Sequence, residues 1–430
     1  MLFLLLLLLW SVRGQTCDEK KPVLLMHSND KYLSMTENMI TQFKEFSFER
    51  RLVAFDNTTF EYCQQKFLNT ECILDSDTGF MPGVARSARR FIHPYSLLSI
   101  LKAGKSVLTS DTDVVWFRNP LPFFEKHPEI EFFYSSDSLA EGPFENFFSN
   151  LNCGVMYLRP TPWVISIVEE WVQRIIETPE LWDQHLLREV MHDHRQYKNR
   201  TLGLPIKLFP NGHFYFIQQR HDKSPIMVHN TFVYVGIPGK IWRFMDYGLW
   251  KIPYPYDNRT NLKYLTYTPT YLNMTPPGPI PHYRSHNASI WVRDTHGIYL
   301  EHQLRELEAV WNIARKEGRI LILPQIKCIY DRVWWNTDGS WPGSIPLKVP
   351  FDCPSDYIFR LDGKHFPRKY VRPRGFKSPP ESTRMVQPSE LVIEPSNEFR
   401  RNFTLPWCCL NNNAHYHFNV IENYTDYIKS

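Results

Sequence analysis

At 430 residues and 43% apolar side chains, the chain can bury one large core or two smaller ones and is not a disordered tail. Its 49 basic and 45 acidic residues leave a formal charge of only +4 with no long basic run, which argues against nucleic acid as a partner.

The first residues, "MLFLLLLLLWSVRGQTC", hold an apolar run from Leu2 to Trp10 followed by small residues near Gly14. A bilayer core needs about 20 apolar residues, so the run predicts a cleaved secretory signal over 1–15, with a short retained anchor as the alternative. A membrane is a partner only in that second case. Seven Asn-x-Ser/Thr triplets, at Asn57, Asn199, Asn258, Asn273, Asn287, Asn402 and Asn423, and eight cysteines agree with a lumenal address, the Golgi or secretion. Cys63 with Cys72, or Cys328 with Cys353, are close enough in sequence to pair; scattered free thiols are the alternative.

Strand and helix signals then alternate. "KPVLLMH" reads as a strand, "YLSMTENMITQF" as a helix and "RRLVAFD" as a strand, the pattern of an α/β fold. A helix through "HPYSLLSILKAG", closed by Gly104, delivers the chain into the strand "SVLTS" of an expected parallel sheet. That strand stops on "DTD", Asp111 and Asp113, before the chain returns to "VVWF". Open α/β sheets bind ligands at the carboxyl ends of their strands. Two carboxylates at i and i+2 there can share one hard divalent cation, Mn2+ or Mg2+, that also grips phosphate oxygens. Left uncompensated between two apolar runs, they would be costly. A solvated turn is the bland alternative.

From Lys251 to Ser289 the composition shifts to Pro, Tyr, Asn and Thr, predicting a linker or wrapping segment over 251–290 between a domain at 16–250 and an accessory α/β region at 291–430. In that second region Leu304, Leu307, Trp311 and Ala314 recur at helical spacing, Gly318 ends the helix, and "RILILP" starts a strand. Trp334, Trp335 and Trp341 read as core or as stacking platforms for a ligand. "MHDHRQY" groups His192, Asp193 and His194, but i and i+2 point apart on a helix, so a solvated helix end is expected. Neither a Gly-x-Ser-x-Gly nor a P-loop signature is present, which argues against a serine hydrolase and a P-loop enzyme.

The run "ILKAGKSVLTSDTDVVWFRNPLPFF" resembles the D-x-D region of the nucleotide-diphospho-sugar transferases of glycosyltransferase family 77. "LNCGVMYLRPTP", "LWDQHLL" and "VHNTFVYVGIPGKIWRFMDYGLW" follow in the family's order. "HGIYLEHQLRELEAVWNIARKEGRILILPQIKCIYDR" with "PFDCPSDYIF" resembles the C-terminal region of its plant cell-wall protein arabinosyltransferase branch. The likeness covers residues 22 to 360 and implies a GT-A-like, Rossmann-type transferase domain.

The resemblance implies that Asp111 and Asp113 hold the metal and the nucleotide diphosphate and that His229 is a third metal ligand. It implies that Asp183 and Gln184 approach the sugar and that Asn152 and Gly154 shape the wall beside it. A helix-start acid is the alternative for Asp183, a plain buried strand for Asn152 and Gly154, and a structural histidine for His229. Lys240 and Arg243 share a helix face, where they either neutralise the leaving diphosphate or are simply solvated. Arg86, Arg89, Arg90 and His93 depart from the plant pattern. The function expected is metal-dependent, retaining transfer of a sugar, arabinose first and xylose or galactose next, from a nucleoside diphosphate donor such as a UDP-sugar to a glycan or glycoprotein. A secreted carbohydrate-binding protein with the same fold and no catalysis is the alternative.

Overall fold

The computed structural model describes residues 21–43, 45–75, 92–233, 235–273, 296–329, 331, 347–362, 364 and 366–392, with Ile92 and His93 described by backbone alone. The leader, the Arg86, Arg89 and Arg90 cluster, the His93 side chain, Trp334, Trp335, Trp341 and the triplets at Asn287, Asn402 and Asn423 lie outside these residues. The other four triplets, at Asn57, Asn199, Asn258 and Asn273, are exposed, as a glycan requires.

The first half is built on a seven-stranded sheet. Its strands are β1 (Val23–Ser28), β2 (Glu49–Ala54), β3 (Thr70–Leu74), β4 (Val107–Ser110), β6 (Phe132–Ser136), β7 (Leu151–Leu158) and β8 (Thr201–Gly203); β5 (Val114–Trp116) and β9 (Met227–His229) form a separate pair. The order is β3-β2-β1-β4-β7-β6-β8, with β1 to β4 parallel, as expected, but with β7 antiparallel to both β4 and β6. The sheet is therefore mixed. Because β7 runs backwards, its first residues meet the last residues of β4, and both ends contribute to one edge of the sheet.

Helices cover both faces. Pro162–Glu177 starts on Thr161, whose hydroxyl accepts from Val164 N, with Pro162 in the first turn where its missing N–H costs nothing. Its buried residues Trp163, Val164, Ile167, Val168, Trp171 and Ile175 make one stripe against β4, β6 and β7. On the opposite face Met39 and Phe43 of the helix Leu33–Phe43 pack with Leu108, Trp116 and Phe133. The disulfide Cys63–Cys72 ties the helix Asn57–Lys66 to β3.

The second half contains the expected α/β unit. The strands β10 (Tyr264–Thr266), β11 (Ile320–Ile322), β14 (Val371–Arg372) and β15 (Thr383–Met385) form a parallel sheet in the order β14-β11-β10-β15. It packs on the helix Gly297–Lys316, which buries Leu304, Leu307 and Ala314 and is followed by Gly318 at φ +63°. A hairpin of β12 (Ile326–Cys328) and β13 (Phe351–Cys353) carries the second disulfide, Cys328–Cys353. The stretch from Lys251 wraps rather than links: the Tyr254 hydroxyl donates to Arg368 O at 2.8 Å, and Leu265 and Tyr267 are buried. One apolar cluster runs from Met35, Val115 and Val228 through Trp242 and Phe244 to Leu304, Phe359 and Val386, so the two halves share a core.

Candidate metal and donor site

β4 is buried along its whole length and ends where the backbone of Asp111 donates to Gly154 O at 2.6 Å. The D-x-D turn is pinned again when Trp116 Nε1 donates to Ser110 Oγ at 3.2 Å and Asn230 N donates to Asp113 O at 2.9 Å. β5 pairs with β9 so that Val114 lies opposite His229. That register brings the imidazole between the two carboxylates. His229 Nε2 lies 3.5 Å from Asp111 Oδ2 and 3.4 Å from Asp113 Oδ1, and the three donor atoms lie within 4.8 Å of one another.

Asp113 and His229 are almost wholly buried, whereas the Asp111 side chain is 56% exposed, so the cluster opens to solvent on one side only. Lys240 Nζ reaches Asp113 Oδ2 at 2.5 Å. Burial alone would push the Asp113 carboxyl up, but Lys240 and His229 outweigh it and hold the group well below the usual carboxylate range. Burial would likewise lower His229, yet Asp113 and Asp111 raise it to about 10. Lys240 is also raised, burial being outweighed by Asp113. Buried carboxylate charge is thus matched by whatever cation is near.

The donor set fits a divalent cation. Two carboxylates and one imidazole suit Mn2+ or Mg2+, with further positions left for phosphate oxygens. A Cβ on Gly154 would come 2.4 Å from His229 Cε1 and 2.5 Å from Asp111 Oδ2, so only glycine lets these ligands converge.

Beside the cluster, the start of β7 supports a second polar group. Asn152 Oδ1 accepts from Gly154 N at 2.9 Å, and its Nδ2 donates to Asp137 Oδ1 at 3.1 Å. Gln184 Oε1 accepts from Cys153 N at 3.2 Å, and Arg188 Nη2 donates to Asp137 Oδ2 at 3.1 Å. Desolvation raises the Asp137 carboxyl, partly offset by Arg188. Asp183 is the first residue of the helix Asp183–Asp193, where its Oδ1 accepts from Gln184 N at 2.8 Å. The structure therefore gathers Asp111, Asp113, His229, Lys240, Asn152 and Gly154, with Gln184 and Asp183 adjoining.

Arg243 does not join them. It is fully buried, donates to both Asp356 oxygens, at 2.8 and 2.5 Å, and to Thr231 O and Phe232 O at 3.0 Å each, so its donors are spent away from the D-x-D. Asp137, Arg188 and Asp356 were not singled out in the sequence. Asp137 carried a usable signal, since it follows the buried strand "FFYSS" much as Asp111 follows "SVLTS". At the end of the helix Asp183–Asp193, where a solvated end was expected, Asp193 pairs with Arg174 and His194 with Glu170, at 2.7 Å each.

A mixed α/β sheet with a D-x-D at the end of a central strand and a histidine returning beside it is the layout of a GT-A-type nucleotide-sugar transferase. Residues 51–244 accordingly match the family model of the nucleotide-diphospho-sugar transferases. It is 26% identical over 290 residues to arabinosyltransferase XEG113 of Arabidopsis thaliana, covering 61% of this chain and 43% of that one. It is 29% identical over 206 residues to UDP-D-xylose:L-fucose alpha-1,3-D-xylosyltransferase 1 of the same plant, covering 42% of this chain and 55% of that one. The chain thus matches about half the length of these relatives. Mouse xyloside xylosyltransferase 1 aligns with 49% of this chain and 98% of its own at 13% identity and a TM-score of 0.33, too loose to bear on the chemistry.

Proposed function

We propose that the protein is a metal-dependent glycosyltransferase that moves a sugar from a nucleoside diphosphate to a glycan or glycoprotein hydroxyl, with retention at the anomeric carbon. The observation that carries this reading is the convergence of Asp111, Asp113 and His229 on one point at the edge of the sheet. Arabinose is the first donor sugar and xylose the next, following the relatives' names. A UDP-sugar donor and a Golgi or secretory setting belong to the same proposal. Among the described residues no helix is long and apolar enough to cross a membrane.

In the reaction the bond from the anomeric carbon to the diphosphate oxygen breaks, and its electron pair stays with the diphosphate. The acceptor oxygen then bonds that carbon on the face the diphosphate has left, and its proton passes to an oxygen of the departing diphosphate. A divalent cation held by Asp111, Asp113 and His229 would supply charge stabilisation for the departing diphosphate. Lys240, with a quarter of its side chain exposed beside Asp113, adds a positive charge on the same side. Gln184, Asp183 and the Asp137 carboxylate hold polar oxygens near the start of β7, where positive charge developing on the sugar is stabilised. Asn152 and Gly154 keep that wall low enough for the sugar to approach.

The test is release of nucleoside diphosphate from a panel of nucleotide sugars with Mn2+, by the intact protein and by Asp113→Asn. Removing one anionic ligand from a site built for a ligand should lower release by about 100-fold or more while the far-ultraviolet dichroism stays unchanged. Release by Asp113→Asn at the wild-type rate, or no release from any donor by a folded wild type, would refute the assignment and leave a carbohydrate-binding protein.

A further inference from the structure

The helix Gly236–Asp246 carries two cations one turn apart that serve different layers. Lys240 points into the donor site; Arg243 points beneath it. The segment after His229 is boxed from three sides. Its Asn230 N donates to Asp113 O, and Asn230 Nδ2 donates to Lys240 O at 2.9 Å. Gly212 N donates to Thr231 Oγ1 at 3.1 Å, and a Cβ on Gly212 would come 2.2 Å from Thr231 O. From below, Arg243 donates to Thr231 O and to Phe232 O. Phe232 sits at φ +56°, a conformation that a bulky side chain adopts only when its surroundings enforce it.

Arg243 is in turn held by Asp356, with both side chains fully buried, and its guanidinium lies between the rings of Phe216 and Tyr357. The same C-terminal region grips the end of the helix. Ser355 N donates to Asp246 Oδ2 at 3.0 Å, and Gly375 approaches so closely that a Cβ would come 2.3 Å from Met245 O. Asp356 comes from outside the segment 51–244 that matches the transferase family.

We propose that Asp356 is a positioning residue of the metal site: through Arg243 it fixes Thr231 and Phe232, and so fixes His229 against Asp111 and Asp113. The C-terminal region is then the floor of the donor site rather than an appendage. This inference rests on the reading of Asp111, Asp113 and His229 as cation ligands, which its experiment checks separately.

The experiment is Mn2+ titration of the full chain, without nucleotide, followed by the electron paramagnetic resonance of free Mn2+. Asp356→Asn should weaken Mn2+ binding by about 10- to 100-fold, the range for residues that orient metal ligands, and Asp356→Glu should recover part of it. Asp356→Asn leaves a buried cation without its counter-charge, so Arg243→Met combined with Asp356→Leu is the second variant. It replaces the pair with apolar side chains that keep the core filled while removing the grip on Thr231 and Phe232. A folded double variant with weakened Mn2+ binding supports the inference. Wild-type affinity in either folded variant overturns it. Failure of both to fold also overturns it, because the pair would then hold the core and not the ligands. If the wild type itself binds no Mn2+, or Asp113→Asn binds it equally, the metal reading fails and the positioning role falls with it.

Discussion

Two buried ionic groups lie one helical turn apart and behave as opposites. Around Lys240, an anion-rich cluster opens to solvent through Asp111, and its positive side is a partly exposed lysine tip with an imidazole whose pKa Asp113 and Asp111 raise. Around Arg243, a planar fork meets a planar carboxylate with no exposure on either side, and two backbone carbonyls absorb the remaining donors. The first group is open on one side and the second is closed on all. Burial and charge are therefore not enough to mark a binding site; what marks one is charge whose partner can leave.

Three expectations probe this contrast. The largest concerns stability: Arg243→Met alone takes the guanidinium away from the fully buried Asp356 carboxylate and should cost roughly 3–5 kcal/mol in chemical denaturation. Lys240→Met leaves Asp113 still facing His229 and should cost under about 2 kcal/mol. Equal losses would erase the distinction. Next, Gly154→Ala thrusts a methyl group between His229 and Asp111, which must move apart. Mn2+ affinity should fall by about 10- to 100-fold, with a stability cost of about 1–3 kcal/mol, while unchanged affinity would show that the ligands have slack.

The smallest effect is on pH. Because its folded value is raised above the unfolded one, protonated His229 stabilises the metal-free chain below about pH 6.5, and that contribution is lost as pH climbs toward about 10. A cation must displace that proton. Mn2+ binding measured calorimetrically should therefore strengthen by up to about tenfold between about pH 6 and pH 7, with uptake of the released proton by buffer. Binding that weakens over this range would remove His229 from the ligand set.

The sequence made the D-x-D legible because its evidence is local: a buried strand, two acids, and an apolar run. His229 and Gly154 needed the resemblance, since their meaning lies in the β5–β9 register and in the reversed direction of β7, neither of which alternation of strand and helix reveals. Lys240 and Arg243 share a helix face by spacing, but their partners, Asp113 and Asp356, lie 127 and 113 residues away in opposite directions along the chain. No local pattern could assign one to the D-x-D and the other to Asp356. The Pro- and Tyr-rich stretch was read as a wrap or a linker because its composition cannot make a helix; that it supplies β10 depended on strands contributed from much later in the chain.

The packing of the C-terminal region on the helix Gly236–Asp246 also has a consequence for the order in which the protein is made. A ribosome delivers Asp111, Asp113, His229 and Lys240 long before Asp356 and Gly375. Until then the helix Gly236–Asp246 has a naked apolar side, with Trp242 and Phe244 awaiting Phe359 and Phe366, and a buried-to-be arginine without its acid. The segment through Asp246 therefore stays only partly assembled until residues 355–375 have been made. A fault near Asp356 would show first as incompletely assembled chains, before any change at the Asp111, Asp113 and His229 cluster itself.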